Sequence, residues 1–475
     1  MFYNSISLIK PQVVSSLDDS FWPAVLWNYT FLNGIRNSKK SVPLTIAIKK
    51  EDDSIFVYKT QIFTNESEFA SSNYFYLERL IKTLLWIYGG NKIIIDSSKE
   101  IYEYVKKVYS SKGKRTFDIN LMSNIYGKPF TVEISNTKNI FPAKEKSIPL
   151  GGHLEGCRIG FDLGASDRKV SAVIDGKAVF SEEVVWGPRN QSDPRYHYHE
   201  IMSMLHRAAG HMPRVDAIGG SSAGIYINNR VMNASIFRGI SPELFEKKVK
   251  NIFLDIQKEW GVPFEIINDG EVTALAGSIS LKTNSVLGIA MGSSEAGGYI
   301  NKDGNITGWL NELAFVPIDF NTEAPVDEWS GDRGCGVQYF SQVAVIRLAE
   351  MAGIALDEKQ TPGEKLKFVQ MLMSKGDDRA KKVFETIGCY LGYGIAYYAD
   401  FYDIKHILIL GRVTSGEGGH IILQKAEQVL KEEFPELFKN ISLHLPDESI
   451  RRVGQSIAAA SLPTLPQIIL KRSGE

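Results

Sequence analysis

The spacing of apolar and polar positions predicts an alternation of strands and helices that begins near residue 43. Residues 43–63 indicate two strands around the polar turn KKEDDS, and residues 75–88 have the apolar spacing of a helix. The segment NKIIID is typical of a buried strand and KEIYEYVKKVY of an amphipathic helix, while TFDINLMS and PFTVEIS predict two further strands. The pattern therefore predicts an α/β region within residues 1–145.

The segment NTKNIFPAKEKSIPLGGHLEG loses this periodicity and collects Pro, Gly and Lys, which predicts a linker. From Arg158 the pattern restarts with three strands joined by tight turns, a helix near 195–210 and a strand in VDAIGGSSAG. A helix over roughly 242–260 follows, then the strands FEIIN and VLGIAM, a long helix ending near Asp400, and the strand HILIL. We expect residues 157–475 to form the larger unit.

Composition narrows the class of protein. The chain has 475 residues, 44% hydrophobic and 23% charged, with a net charge of −1, so no global field attracts nucleic acid or a membrane. The N-terminal third is mildly basic, which weakly favours binding of a polyanion. The three cysteines form no CxxC pair, and the longest apolar stretch near the N-terminus is too short to span a bilayer. We therefore expect a cytoplasmic protein with no membrane partner.

Asp269 follows the short apolar strand FEII and precedes a helix-like run of small residues. One interpretation is a helix N-cap, because a polar side chain there satisfies free backbone N–H groups. The other is a catalytic base at the carboxyl edge of an α/β sheet, where ligands tend to bind. Taken alone, these residues leave both interpretations open.

Three strand-ending turns are rich in small residues and hydroxyls, which let backbone N–H groups approach an anionic oxygen closely. They are DLGAS at 162–166, GSS at 292–294 and GRVTSG at 411–416. Asp162 in the first turn has the chemistry to position Mg²⁺, which usually needs only one or two carboxylates besides phosphates. The sequence contains no GxxxxGK[ST], so a P-loop is excluded.

Residues 158 to about 465 resemble the ROK (repressor, open reading frame, kinase) sugar kinases of the actin/hexokinase-like ATPase superfamily. The matching segments, in order, are IGFDLGAS, AIGGSSAGIYINNRV, VPFEIINDGEVTALAG, LGIAMGSSEAGGYINKDGNITG, NELAF, GDRGCGVQYFS and DIKHILILGRVTSG. The resemblance implies an α/β protein with a two-lobed actin-like ATPase (ribonuclease H-like) fold. Its lobes would lie at about 157–275 and 276–475, beside an extra N-terminal α/β region over 1–145.

The resemblance also implies a function, the ATP-dependent phosphorylation of a sugar hydroxyl on a hexose or a derivative, with ATP and Mg²⁺ as cofactors. In the family's pattern the general base falls on Asp269 and the substrate contacts on Asn268, Glu312 and Gly224. The phosphate and nucleotide contacts fall on Asp162, Gly164, Ser166, Gly292, Ser293 and Gly411. Asp162 would hold Mg²⁺ through water. In this context the catalytic interpretation of Asp269 is favoured.

Several positions depart from the family's pattern. Phe315 stands where the family has a zinc-binding His that also touches sugar, and of the zinc cysteines only Cys335 is left. We therefore expect no zinc, since a structural zinc site needs about four ligands. Val337 replaces a sugar-binding Glu, and Glu295 places a carboxylate in the second phosphate loop. Arg412 replaces a Gly in the adenosine loop, where it would stack on adenine or block it.

Two rival functions stay open. A catalytically silent protein that binds sugar or nucleotide would account for the lost His and Glu contacts. A sugar-responsive transcriptional regulator would begin with a helix–turn–helix, but residues 1–145 show no such pattern, so nucleic acid is not favoured as a partner. We expect residues 1–145 to form a compact α/β domain docked on the rest. The Tyr-rich segment YLGYGIAYYADFY predicts a helix in the core or at a subunit interface, which leaves a homodimer open.

Overall fold

A computed structural model describes residues 9–38, 40–135, 143–144, 151–446 and 454–465. Within these residues the chain forms three sheets of four or five strands, one in the N-terminal region and one in each of two following lobes. None of the helices in these ranges is both long and apolar enough to cross a membrane.

The N-terminal region is a four-stranded sheet with helices packed on it. Its elements are α1 (Ala24–Ser38), β1 (Ser41–Lys49), β2 (Ile55–Phe63), α2 (Ser72–Tyr88), β3 (Lys92–Asp96), α3 (Lys99–Val108), α4 (Thr116–Tyr126) and β4 (Thr131–Ile134). The strand order is β2-β1-β3-β4, in which β1 is antiparallel to both neighbours and β3 is parallel to β4. This confirms the strands predicted around KKEDDS and in NKIIID and PFTVEIS. It also confirms the two predicted helices, which correspond to α2 and α3.

The segment TFDINLMS lies in helix α4, so the strand predicted there is wrong. Helix α4 buries Asp118, Ile119, Met122 and Ile125, a spacing of one helical face. The alternation of apolar and polar residues in this segment wrongly predicted a strand because the polar Asp118 faces the interior. Its Oδ1 lies 3.0 Å from the Nζ atom of Lys82. A buried ion pair inverts the inside–outside pattern on which periodicity arguments rest.

The buried side chains of the N-terminal region and of the second lobe form one continuous hydrophobic cluster, which includes Trp86 and Tyr397. Polar contacts cross the same boundary. The hydroxyls of Thr83 and Tyr397 lie 2.8 Å apart, and the hydroxyl of Tyr393 donates to the carbonyl of Val13 at 3.1 Å. The N-terminal region therefore packs directly on the second lobe and shares its core.

The first lobe is built on a five-stranded mixed sheet. Its elements are β5 (Cys157–Leu163), β6 (Asp167–Ile174), β7 (Lys177–Val185), α5 (Pro194–Ala209), β8 (Ala217–Ser222), β9 (Ile225–Ile227), β10 (Arg230–Asn233), α6 (Pro242–Leu244), α7 (Ile252–Trp260) and β11 (Phe264–Asn268). The order is β11-β8-β5-β6-β7, with β5, β8 and β11 parallel. The helix predicted over 242–260 is interrupted, because a π-helical turn at Phe245–Val249 separates α6 from α7.

The second lobe is built on a four-stranded sheet of order β13-β12-β14-β15. The remaining elements are α8 (Asp269–Leu281), β12 (Val286–Met291), β13 (Glu295–Ile300), α9 (Gln342–Met351), α10 (Pro362–Ser374), α11 (Asp378–Tyr398), β14 (His406–Leu410), α12 (Glu417–Glu433), α13 (Pro435–Phe438), β15 (Ser442–His444) and α14 (Gln455–Ala460). Helix α14 returns to the first lobe and packs against β5 and β8. Residues 390–398 of the Tyr-rich segment lie in α11 and are buried.

Helix α8 joins the two lobes and starts directly on the second lobe's sheet. A Cβ atom on Gly270 would overlap the carbonyl oxygen of Gly297, and one on Gly298 would overlap the carbonyl oxygen of Gly270. Only glycines allow this backbone-to-backbone contact. The contact fixes the start of α8, and with it Asp269, against the second lobe.

Candidate functional site

The parallel strands β5, β8 and β11 end at one edge of the first lobe's sheet. Their register pairs Asp162 with Ser221 and Ser222 with Asn268. The carboxyl edge of parallel strands is the usual ligand site of open α/β sheets. The fold therefore brings Asp162, Asn268 and Asp269 to one edge although the first is far from the others in sequence.

The N-cap of α8 is Asn268, whose Oδ1 accepts the N–H of Gly270 at 2.7 Å. The Nδ2 of Asn268 donates to the carbonyl of Gly224 at 2.7 Å, so these two predicted substrate residues are in contact. Asp269 is the first residue of the helix, and its Oδ1 shares the Gly270 N–H at 3.0 Å. Because Asn268 caps the helix, Asp269 keeps its Oδ2 atom without a hydrogen bond among the described residues.

The carboxyl group of Asp269 interacts electrostatically with those of Asp162 and Glu312. Burial raises the pKa of Asp269 to about 7, and the charge of Asp162 adds to that rise. Burial likewise raises the pKa of Glu312 to about 8, with further contributions from Asp269 and Glu271. The pKa of Asp162 is also raised by burial, against the nearby hydroxyl of Ser221, which lowers it. Ionisation of any one of these groups is therefore harder when its neighbour is ionised.

Glu312 is held in place by the N-terminal region. Its backbone N–H donates to the carbonyl of Trp86 at 3.0 Å, and the neighbouring N–H of Asn311 donates to the carbonyl of Ile87 at 2.9 Å. Both acceptors belong to the last turn of α2, whose carbonyls have no partner inside the helix. No pattern in the sequence indicates that residues of the N-terminal region support this carboxylate.

The first of the turns predicted to hold phosphate, DLGAS at 162–166 (here the first phosphate turn), is compact. The N–H of Gly164 donates to the carbonyl of Asp167 at 2.9 Å, and the indole Nε1 of Trp186 donates to the carbonyl of Gly164 at 2.8 Å. The N–H of Gly164 is thus engaged inside the turn. Ser166 is half-buried beside it, and its hydroxyl donates to Oδ2 of Asp167 at 2.9 Å.

The turns predicted to contact phosphate and adenosine, GSS at 292–294 and GRVTSG at 411–416, lie side by side in the second lobe. The N–H of Gly292 donates to the carbonyl of Ser294 at 2.9 Å, and Ser293 is exposed at the tip. Gly411 has φ 108°, and a Cβ there would overlap the carbonyl oxygen of Met291. Glycine is favoured at Gly411 for both reasons, and it brings the two turns into contact.

Arg412 connects this part of the second lobe with the first lobe. Its Nη2 atom donates to the Oγ atom of Ser166 at 2.6 Å and to Oδ2 of Asp167 at 2.8 Å. The sequence interpretation assigned it two roles at the adenine, stacking on it or blocking it, whereas here the side chain reaches the first phosphate turn. No local pattern in the sequence signals this contact.

The carboxylate of Glu295 points into the interior. Its Oε1 accepts the hydroxyl of Tyr398 at 3.1 Å, and its Oε2 lies against the backbone of Gly336. Burial raises the pKa of Glu295 to about 8, and the Tyr398 hydrogen bond opposes the rise. At neutral pH the group is therefore mostly protonated, which lessens the repulsion of phosphate expected from a carboxylate in this loop.

Two residues at this edge were missed by the sequence interpretation. Glu271 lies two positions after Asp269 in α8, and burial raises its pKa to about 7 while the charge of Lys50 lowers it. The hydroxyl of Tyr226 donates to the Oγ atom of Ser222 at 2.8 Å, on the edge that carries Asp162. Glu271 could have been predicted as a site residue from its position two residues after the candidate base Asp269.

The segment in which the family carries zinc ligands here forms an aromatic stack and a cluster of ion pairs. Phe315 stacks on Trp86, and the thiol of Cys335 lies 4.0 Å from Oδ2 of Asp332. Asp332 in turn pairs with three cations of the N-terminal region, Arg79, Lys82 and Arg115. In the described part of the chain no group of three or more His, Cys, Asp or Glu side chains is arranged to hold a metal ion. The expected absence of zinc stays a prediction.

A family model described as the ROK family matches residues 158–448. The chain belongs to the ROK family. This confirms the family resemblance drawn from the sequence motifs, which covered nearly the same residues. The N-terminal region lies outside the matched residues.

Three solved ROK structures resemble this one. A ROK family transcriptional regulator, a homologue of the E. coli MLC protein, has 18% sequence identity and a TM-score of 0.53, covering 65% of this chain and 78% of that one. A ROK family glucokinase from Streptomyces griseus, solved with glucose and AMPPNP, has 18% identity and a TM-score of 0.50, covering 65% and 99%. A ROK hexokinase from Thermus thermophilus has 17% identity and a TM-score of 0.50, covering 67% and 100%. No match was found among curated proteins.

These similarities confirm the two-lobed actin-like ATPase fold of the ROK part of the chain. Kinases and a regulator share that fold, so the fold by itself does not choose between catalysis and binding. The choice must come from the residues at the site.

Proposed function

We propose that this ROK protein is an ATP-dependent kinase that phosphorylates a hydroxyl group of a hexose or a hexose derivative. The observation that carries the proposal is the placement of Asp269. Its half-buried carboxylate interacts electrostatically with Asp162, to which we assign the donor side, and with Glu312, to which we assign the acceptor side. A base in that position touches the acceptor where the phosphoryl group arrives.

Asp269 would act as the general base. A pKa of about 7 lets the carboxylate be ionised at neutral pH and still take a proton effectively. The proton of the acceptor hydroxyl passes to Asp269 as the acceptor oxygen bonds to the γ-phosphorus. The bond from that phosphorus to the bridging oxygen breaks, and ADP leaves with the electron pair.

The donor side fits a nucleoside triphosphate with Mg²⁺. Ser166, Ser293 and the glycine turns at Gly292 and Gly411 offer hydroxyls and closely approachable backbone, which suit phosphate oxygens. Asp162 is a buried carboxylate at the same edge, and we assign to it the positioning of Mg²⁺. When bound, Mg²⁺ neutralises phosphate charge.

The acceptor side would use Asn268, Glu312 and Gly224. The amide of Asn268 is fixed between Gly224 and the helix start, so its position does not depend on the ligand. Phe315 is stacked in the interior and has no hydrogen-bonding group, so Glu312 carries more of the sugar recognition than its counterpart in the family pattern. The acceptor is therefore held by a different set of polar contacts.

The alternative is a catalytically silent sugar- or nucleotide-binding protein, which the apolar Phe315 favours. A transcriptional regulator is a weaker alternative, because the described N-terminal region is built on a four-stranded sheet. We also propose a cytoplasmic location, supported by the free thiols of Cys157, Cys335 and Cys389. A homodimer stays a prediction, and analytical ultracentrifugation would test it.

The test is a phosphorylation assay with ATP, Mg²⁺ and a panel of hexoses, amino hexoses and N-acetylated hexosamines, with the products identified by mass spectrometry. The proposal predicts a sugar phosphate formed by the wild type and by the control Asp303→Asn, an exposed turn residue, but not by Asp269→Asn. Sugar binding by calorimetry without product from any sugar would favour the silent protein. A sugar-dependent gel shift of upstream DNA would favour the regulator.

A further inference from the structure

The guanidinium of Arg412 spans the cleft between the two lobes. Arg412 follows Gly411 at the end of β14 in the second lobe, whereas Ser166 and Asp167 form the turn between β5 and β6 in the first. The side chain of Arg412 is 59% exposed and that of Asp167 18% exposed, so the ion pair between the lobes is open to solvent.

The backbone of Arg412 is anchored in the second lobe. The backbone of Gly411 packs against the carbonyl of Met291. The carbonyl of Arg412 accepts a hydrogen bond from the side-chain Nε2 of Gln370 at 2.7 Å. The crossing is therefore made by the side chain of Arg412 alone, from a fixed starting point.

The contact engages only part of the guanidinium. Both hydrogen bonds use Nη2, and Nε and Nη1 of Arg412 make none among the described residues. Exposed ion pairs contribute little to stability, so the contact exchanges easily for a better one. A phosphate offers that better contact, because the planar guanidinium matches two phosphate oxygens at once.

We propose that Arg412 is a phosphate-binding residue of the donor site, which leaves Asp167 and donates to the phosphate oxygens of a nucleoside triphosphate. The proposal rests on the proposed kinase function. The proposal rests on where the two ends of the contact lie. Ser166, whose hydroxyl Arg412 contacts, belongs to the first predicted phosphate turn, and Arg412 extends from beside the second, at Gly292. A triphosphate between the turns at Ser166 and Gly292 would contact this guanidinium. The negative charge of the triphosphate would then attract groups of both lobes.

The experiment measures binding of Mg²⁺–AMPPNP, ADP and adenosine by isothermal titration calorimetry. The proteins are wild type, Arg412→Ala, Arg412→Lys and the control Arg379→Ala, an arginine of similar exposure that pairs with Asp377 on the surface of the second lobe. Melting curves verify that each variant is folded.

Arg412→Ala is expected to weaken AMPPNP binding about ten- to a hundredfold, the size of a lost charge-assisted contact. Adenosine, which has no phosphate, should bind within about twofold of wild type. Arg412→Lys should lie between, and Arg379→Ala should bind all three ligands like the wild type. Equal weakening of AMPPNP and adenosine by Arg412→Ala would place the arginine at the base and overturn the proposal.

Unchanged AMPPNP binding by Arg412→Ala would also overturn the proposal, since the arginine would then make no contact with the phosphates. Tighter binding would overturn it too, because the arginine would then obstruct the site. The proposed function fails separately: a wild type that binds AMPPNP through Arg412 but phosphorylates no sugar contradicts the kinase alone. A wild type that binds no nucleotide contradicts both.

Discussion

The indole of Trp86 stacks on the phenyl ring of Phe315, with ring centroids 4.2 Å apart and planes inclined by 28°. Phe117 and Trp329 complete the aromatic group around Phe315, at 5.7 and 5.3 Å. The carbonyl of Trp86 also accepts the N–H of Glu312. One residue of the N-terminal region thus fills the space beside Phe315 and holds the backbone of the candidate acceptor carboxylate.

Lys82→Met is expected to lower the free energy of unfolding by about 3–5 kcal/mol, because the buried carboxylate of Asp118 loses its nearest cation. The Nζ atom of Lys82 is buried and lies 3.0 Å from Asp118 and 3.2 Å from Asp332. Urea denaturation measures the change. The matched control is Lys114→Met, whose 57%-exposed side chain pairs with Glu78, and it should cost less than about 1 kcal/mol. Equal losses from both variants would contradict this prediction.

Asp269→Asn is expected to lower kcat at least about a hundredfold while the protein stays folded, since a positioned base contributes roughly 10²–10⁴-fold. The change keeps the volume and the acceptor of the Gly270 hydrogen bond. In the wild type, kcat/KM should rise with pH through about 7, as Asp269 loses its proton. A variant within about tenfold of the wild type would remove the role from Asp269.

Stability should fall as pH rises from about 4 to about 8. Glu295 and Glu312 have folded-state pKa values of about 8, whereas an unfolded Glu titrates near about 4.3. The folded protein therefore holds more protons than the unfolded chain in that window, and the free energy of unfolding declines with pH. Melting temperatures at pH 5.5 and 8.5 measure the effect.

Glu295→Gln should flatten this dependence and raise the melting temperature at pH 8.5 by at least about 2 °C, because it removes a buried group that must ionise. Glu436→Gln, an exposed carboxylate paired with Lys439, serves as the control and should leave the slope unchanged. A wild type that becomes more stable toward pH 8.5 would refute the assignment of these protons.

The purified protein is expected to contain no stoichiometric zinc, because Phe315 and a lone Cys335 cannot supply the four ligands of a structural site. Elemental analysis by mass spectrometry measures the metal content per chain. Phe315→His restores one ligand only and should remain zinc-free after incubation with zinc and gel filtration. One zinc per wild-type chain would show that this prediction is wrong.

Limited proteolysis should cut the chain mainly between about 138 and 157, where Pro, Gly and Lys cluster. This linker falls largely outside the described residues. Because the N-terminal region and the second lobe share a core, the two fragments should run apart on a denaturing gel and together on gel filtration. Fragments that separate without denaturant, or rapid digestion throughout 1–137, would contradict a docked N-terminal region.

The sequence alone determined most of the strands and the order in which the three small-residue turns and Asn268–Asp269 follow strands. These features are local, since the period of apolar positions and the small residues at strand ends are set within a few neighbouring residues. The same locality singles out Asp269, because the apolar run FEII followed by Asn268 and Asp269 marks a strand end without reference to any distant segment.

Only the tertiary structure decided which distant groups meet. Helix α4 was mistaken for a strand because Asp118 is buried by Lys82, a partner 36 residues away. The sequence left Arg412 two roles at the adenine and gave no sign of its contact with Ser166 of the other lobe, 246 residues away in sequence. Such contacts depend on how lobes and sheets pack, and the free energy of a buried ion pair or a bridging arginine belongs to both partners together. No pattern within one segment carries that information.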